Sequence, residues 1–139
     1  MQITPANCSD GDVRLVDGSV NYEGRVEVCI NRVWGTVCST TYRYNYANWD
    51  LNDAKVVCRQ LGHQELGATI YTSSSTFGAG TDPVFLSDLQ CVGSESNLLE
   101  CRNSNFIQLG SNRYCTHSRD VGLRCERKQL KHITIILLL

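Results

Sequence analysis

Apolar and polar positions alternate along the first third of the chain. Arg25-Val26-Glu27-Val28-Cys29-Ile30 changes character almost step by step, and Trp34-Gly35-Thr36-Val37-Cys38 follows with aromatic and β-branched residues. A period of two marks a strand with one face on a core, so these segments predict two strands joined by a turn through Asn31 and Arg32. Val13-Arg14-Leu15-Val16 predicts a shorter strand that stops at Asp17-Gly18. A different period begins at Asp50, where Ala54, Val57, Cys58 and Leu61 recur at helical spacing. Asp50-Leu51-Asn52-Asp53 offers a capping box with Asp in place of the usual Glu, and Gly62 stands where a left-handed residue costs least. The pattern predicts a helix between Asp50 and Gly62 that turns Cys58 toward the core and leaves Lys55, Arg59 and Gln60 mainly on a solvated face.

The remaining stretches are less periodic. Ser73 to Pro83 reads as a Ser/Thr/Gly loop, and Val84-Phe85-Leu86 with Leu89 as a buried strand leading to Cys91. Asn, Ser and Gly are dense enough across 92–114 to deny long regular runs. Between Cys38 and Trp49, Tyr42, Tyr44 and Tyr46 occupy alternate positions, which fits either a strand with an aromatic face or a loop that displays its rings. No linker or repeat interrupts Val13 to Cys125. The expected organisation is a lead-in over 1–11 tied down by Cys8, one domain over 12–126, and a basic then apolar tail over 127–139.

Composition narrows the setting. The chain has 139 residues, 19% of them charged, and a formal net charge of −1, so no broad field points to nucleic acid or to a membrane surface. Eight cysteines is an even and high count. A zinc site would need tight Cys-x2-Cys knuckles, and the closest spacings here are nine and ten residues. An oxidising compartment and a disulfide framework are therefore expected, although spacing alone leaves the pairing open. Met1 to Pro5 does not read as a signal peptide, so either a signal has been removed or the chain is a piece of a larger precursor. The run Ile133-Thr134-Ile135-Ile136-Leu137-Leu138-Leu139 is too short to span a bilayer. It is the start of a truncated transmembrane segment, an edge strand or a non-native tail, so a membrane enters only through a larger parent protein.

Four motifs in order carry a resemblance: Glu23-Gly24-Arg25-Val26-Glu27-Val28; Trp34-Gly35-Thr36-Val37-Cys38; Asp53-Ala54-x-Val56-Val57-Cys58-Arg59-Gln60-Leu61-Gly62; and Cys115-x-His117-Ser118-x-Asp120-Val121-Gly122-x-x-Cys125. Over residues 12 to 126 the chain resembles the scavenger receptor cysteine-rich family. That resemblance implies an α+β fold in which a curved antiparallel sheet cradles one main helix, in a secreted protein or the ectodomain of a membrane protein. It also implies the pairs Cys38–Cys115, Cys58–Cys125 and Cys91–Cys101. Tyr22 and His63 stand where the larger-cysteine group has a further bridge, so the chain is similar to the six-cysteine group. Cys8 and Cys29 are expected to bond to each other, stapling the lead-in to the second strand.

The resemblance makes the chemistry specific. Several family members hold calcium through acidic residues at positions occupied here by Ser39, Thr40 and Arg119, and a second site matches Ser87, Asp88 and Ser94. Calcium wants six to eight oxygens, several of them charged, and a guanidinium repels it. Asp88, Glu95 and Asp50 remain as a weak remnant, so no cofactor is expected. Arg119 is then a solvated loop residue, a partner for Asp88, Asp50 or Glu95, or a receptor for an acidic ligand. Enzymatic chemistry is not expected: His63, His117 and His132 are the available imidazoles, no Gly-x-Ser-x-Gly elbow occurs, and His117 reads as a local hydrogen-bonding group. Arg25, Glu27, Arg32, Arg43, Tyr44 and Arg119 are the expected ligand contacts, with Arg14, Arg102 and Arg113 as further cations and Trp34 as either core or contact. The expected partners are protein, anionic polysaccharide or lipopolysaccharide ligands, in an innate-immune recognition role. A structural or adhesive spacer in a larger receptor is the alternative. Asn7-Cys8-Ser9 is a formal glycosylation acceptor.

Overall fold

The computed structural model describes residues 5–39, 49–106 and 115–127. Three strands open the fold: β1 (Val13–Asp17), β2 (Glu23–Ile30) and β3 (Val33–Cys38). Helix α1 (Leu51–Gln60) follows, then β4 (Gln64–Tyr71), β5 (Val84–Gln90), β6 (Arg102–Phe106) and β7 (Gly122–Glu126), with short 3-10 turns at Leu98–Glu100 and His117–Arg119. The strands form one sheet in the order β4-β7-β2-β3-β5-β6, with β1 on the other edge of β2. β3 and β7 share that first edge end to end, β3 along Glu27–Ile30 and β7 along Glu23–Arg25. The expected α+β architecture is present, with one correction: β3 and β5 run parallel, so the sheet is mixed.

Local rules explain most boundaries. β2 turns into β3 through Asn31 and Arg32, both left-handed, which is the backbone of a type I′ hairpin. Asp50 caps α1 by accepting the Asp53 N–H, and the Asp53 carboxylate accepts the Asp50 N–H in return. At the other end Gly62 donates to Arg59 O and His63 to Cys58 O, a Schellman closure that needs the left-handed conformation of Gly62. β4, which the sequence reading lacks, is an edge strand paired only with β7; its polar, Gly-containing start is largely exposed, so little alternation marked it.

The main core lies between α1 and one face of the sheet. Val26 and Val28 of β2, Val13 and Val37, Ala54, Val56, Val57 and Cys58 of the helix, Leu86, Leu89, Leu98, Val121 and Leu123 are all buried there. Trp49 closes its edge, with its indole N–H donating to Gly122 O. Four disulfides cross-link the fold: Cys8–Cys29, Cys38–Cys115, Cys58–Cys125 and Cys91–Cys101. The last three are the pairings that the resemblance implied, and the first joins the two cysteines that it left over. Cys58–Cys125 joins the helix to β7 within the core, whereas Cys8–Cys29 holds the lead-in against β2. The lead-in is further held by Gly11 N–H to Cys29 O and by Asn31 N–H to the Asp10 carboxylate. Among the described residues no helix is long and apolar enough to cross a membrane. The apolar run at 133–139 lies outside them.

Candidate functional site

The face of the sheet away from the helix is polar, and it is layered over rather than bare. Residues alternate along β2, so Arg25, Glu27 and Cys29 point opposite to Val26 and Val28. The reading of β2 as a half-buried strand with two charges at the surface is corrected here: Arg25 is 7% exposed and Glu27 1%. Buried charges persist only when paired, and these are. Glu27 takes Arg14 on Oε1 at 2.6 Å and Arg25 on Oε2 at 3.3 Å. Arg25 also reaches Asp17 at 3.0 Å and donates to the carbonyls of Phe77 and Gly78. One guanidinium thus holds the 72–80 loop down on the sheet. Arg14, the outer member, lies 4.3 Å over the ring of the partly buried Trp34, so Trp34 supports a cation on this face.

The same loop joins the strand pair to the turn that carries Arg119. Gly80 donates to Asp120 Oδ2 at 2.8 Å, and the carboxylate also meets His117 Nδ1 at 2.8 Å. A side chain at Gly80 would collide with Thr36 and crowd Arg25 and Asp120, so only glycine lets the loop lie this close. Ser74 donates its N–H to Ser118 O, and Ser39 donates to Arg119 O. His117 is therefore the local hydrogen-bonding group expected of it. The neighbouring Ser118 hydroxyl pairs with Thr116 Oγ1, and nothing in this turn sets a nucleophile against a base.

Arg119 is partly exposed, and its side chain is in no ion pair among the described residues. Two of the three acids expected to meet it are engaged elsewhere. Asp50 is the helix cap. Glu95 accepts the N–H groups of Val92 and Gly93; burial alone would raise its carboxyl, but those N–H groups and the Arg59 guanidinium hold it below the usual range. Asp88 is buried in a left-handed position on β5, beside the buried Ser87. Among the described residues one group of three potential ligands lies close enough to share an ion, Cys91, Glu95 and Cys101. Its two sulfurs are bonded to each other, so the set does not fit a metal.

Other candidates are dispersed. Arg32 is exposed at the hairpin tip, Arg102 is exposed at the start of β6, and Asn7 is exposed beside Cys8. Arg43, Tyr44 and Arg113 lie outside the described residues. The solvated face expected of the helix is also corrected. Arg59 binds Glu65 and the carbonyls of Gly93 and Glu95, and Gln60 bonds both Gly11 O and Leu98 N–H. These two side chains fasten α1 to β4, to the 91–101 loop and to the lead-in. Helical periodicity located them but carried no signal of the loops they would meet.

Comparison with known proteins sets this arrangement in context. The family model described as scavenger receptor cysteine-rich domain matches residues 16–126. The galectin-3-binding protein of Pongo abelii is 41% identical over 117 residues, 84% of this chain and 18% of that protein. The macrophage scavenger receptor types I and II of Mus musculus is 39% identical over 113 residues, 81% of this chain and 22% of that protein. The crystal structure of the third SRCR domain of murine neurotrypsin aligns with a TM-score of 0.64 at 34% identity, covering 84% of this chain and 97% of that one. The chain thus spans 18% and 22% of the length of these two curated relatives.

Proposed function

This chain belongs to the scavenger receptor cysteine-rich family, and from that premise we propose that it is an extracellular, non-catalytic recognition module for protein or anionic microbial-surface ligands, polysaccharide and lipopolysaccharide included, that works without calcium. The observation that carries the reading is Arg119. It occupies a position where calcium-binding members place an acidic ligand, on a turn braced by Ser39, Ser74 and the His117–Asp120 pair. A fixed cation there takes over the work of the ion, because a guanidinium offers a carboxylate, phosphate or sulfate two parallel donors without a bridging metal. Arg14 over Trp34, Arg32 at the hairpin tip, Arg43 and Tyr44 are proposed as further, separate contacts. Arg25 and Glu27 act from inside by holding β1 and the 72–80 loop in place. Asn7 is proposed as a glycan site at the lead-in. The alternative is a spacer within a larger receptor.

The test is retention of the purified domain on immobilised lipopolysaccharide and on whole bacteria, with added calcium or with chelator. Wild type is expected to bind equally in both, and Arg119→Glu to lose at least about tenfold in affinity, since a charge-assisted contact becomes a repulsion. Unchanged retention of the variant removes Arg119 from the site. Retention that needs calcium, or a stoichiometric calcorimetric isotherm with calcium tighter than about 1 mM, overturns the metal-free reading.

A further inference from the structure

A second surface stands apart from Arg119. Among the described residues the two most exposed large apolar side chains are Leu66, 69% exposed, and Val92, 73% exposed. They are far apart in sequence, yet both line one cleft of about 690 Å³, with Lys55, His63, Gln64, Glu65, Gly93 and Ser94. Leu66 sits where β4 departs from its partner: pairing with β7 is regular at Gln64 and resumes at Thr69, and Gly67 between them is left-handed. Val92 sits at the start of the loop closed by Cys91–Cys101.

Both walls are held before any partner arrives. Arg59 pairs with Glu65 on one wall and donates to Gly93 O and Glu95 O on the other, while Glu95 fixes the Val92–Gly93 turn through two N–H groups. Such bracing lowers the ordering cost of binding. It also sets the charge of the cleft: Arg59 neutralises Glu65, whereas Lys55 has no carboxylate partner among the described residues. Lys55 is thus the cation left without a carboxylate on a cleft that also carries the two apolar prongs. The departure of β4 from regular pairing disfavours addition of a strand at this edge.

We propose that this cleft is a protein-docking site that takes a partner segment presenting an aliphatic or aromatic side chain beside a carboxylate, the apolar group between Leu66 and Val92 and the carboxylate on Lys55. The probe is a displayed library of random linear heptapeptides, selected on the disulfide-intact domain. Enriched peptides are expected to carry Leu, Ile, Met or Phe next to or one residue from Asp or Glu. Their affinity is expected to fall about tenfold or more on Leu66→Asp/Val92→Asp and, separately, on Lys55→Glu, while Arg119→Glu leaves it unchanged. All substitutions are at the surface, and intact disulfides with an unaltered far-ultraviolet spectrum establish that each variant is folded. Enriched peptides without the acidic–apolar pairing, peptides that bind the variants as well as wild type, or no enrichment at all would each overturn the proposal. Loss on Arg119→Glu alone would assign the peptides to the other face and overturn it equally.

Discussion

Asp53 shows how one residue can serve two neighbours and still carry a cost. Its side chain is fully buried, Oδ2 accepts the Asp50 N–H, and Oδ1 accepts the Cys91 N–H at the end of β5. The helix start and the 91–101 loop therefore meet on one carboxyl group. Burial pushes that carboxyl up to about 8, against the pull of the two N–H donors. A carboxyl that binds its proton more tightly in the folded chain than in the unfolded one stabilises most below its unfolded value, about 4. That contribution declines as pH rises toward about 8. Asp53→Asn keeps an oxygen acceptor but cannot ionise, so its thermal midpoint is expected to vary less with pH across this window than that of wild type. Parallel profiles for the two proteins would mean that the Asp53 charge does not govern the slope.

The β2–β3 hairpin poses the question at the next scale. Alternation located β2, aromatic and β-branched residues located β3, and the turn followed from their spacing. Its chemistry is less favourable than its geometry: a type I′ turn wants left-handed residues at both centres, and Arg32 pays a steric penalty that glycine does not. Arg32→Gly is expected to raise unfolding stability by up to about 1 kcal/mol in urea titration. A weakened microbial ligand affinity in the same variant would support a contact by Arg32, and unaltered affinity would remove it from the face. β4 illustrates the opposite limit. Most of its side chains are exposed, so no buried periodicity marked it, and pairing with β7 rather than its own pattern makes it a strand.

For the whole molecule, the four crosslinks do unequal work. On a loop-closure account, the Cys58–Cys125 bridge, spanning 67 residues, contributes about 4.4 kcal/mol, and Cys8–Cys29, spanning 21, about 3.3 kcal/mol. Packing widens the difference. Cys58 and Cys125 belong to the main core cluster, whereas Cys8 is partly exposed and holds a lead-in that has its own hydrogen bonds to β2. Replacing both members of a pair by Ser is expected to lower the melting temperature substantially more for Cys58/Cys125 than for Cys8/Cys29, with the latter variant still cooperative. Equal losses would show that the lead-in is as integral to the fold as the helix staple.

Much of the architecture was legible in the chain because burial writes a period into sequence. The helix, its caps, the first strands and β5 were read from apolar spacing and from single residues whose backbone needs are local, Gly62 above all. The motifs added the family and three of the four disulfide pairs, since a shared fold preserves residue order, and Cys8–Cys29 joins the two cysteines left over. Tertiary structure alone decided what the charged residues do. Arg25 and Glu27 have the alternation of an exposed face, but the 72–80 loop folds over them and turns surface charges into an interior ion network. Arg59 and Gln60 look solvated on a helical wheel until the loops they fasten are in place, and Leu66 and Val92 become neighbours only through β4 and the 91–101 bridge. Local sequence encodes which side of an element seeks apolar company. It does not encode which distant segment will cover the other side, because that depends on contacts between residues far apart along the chain.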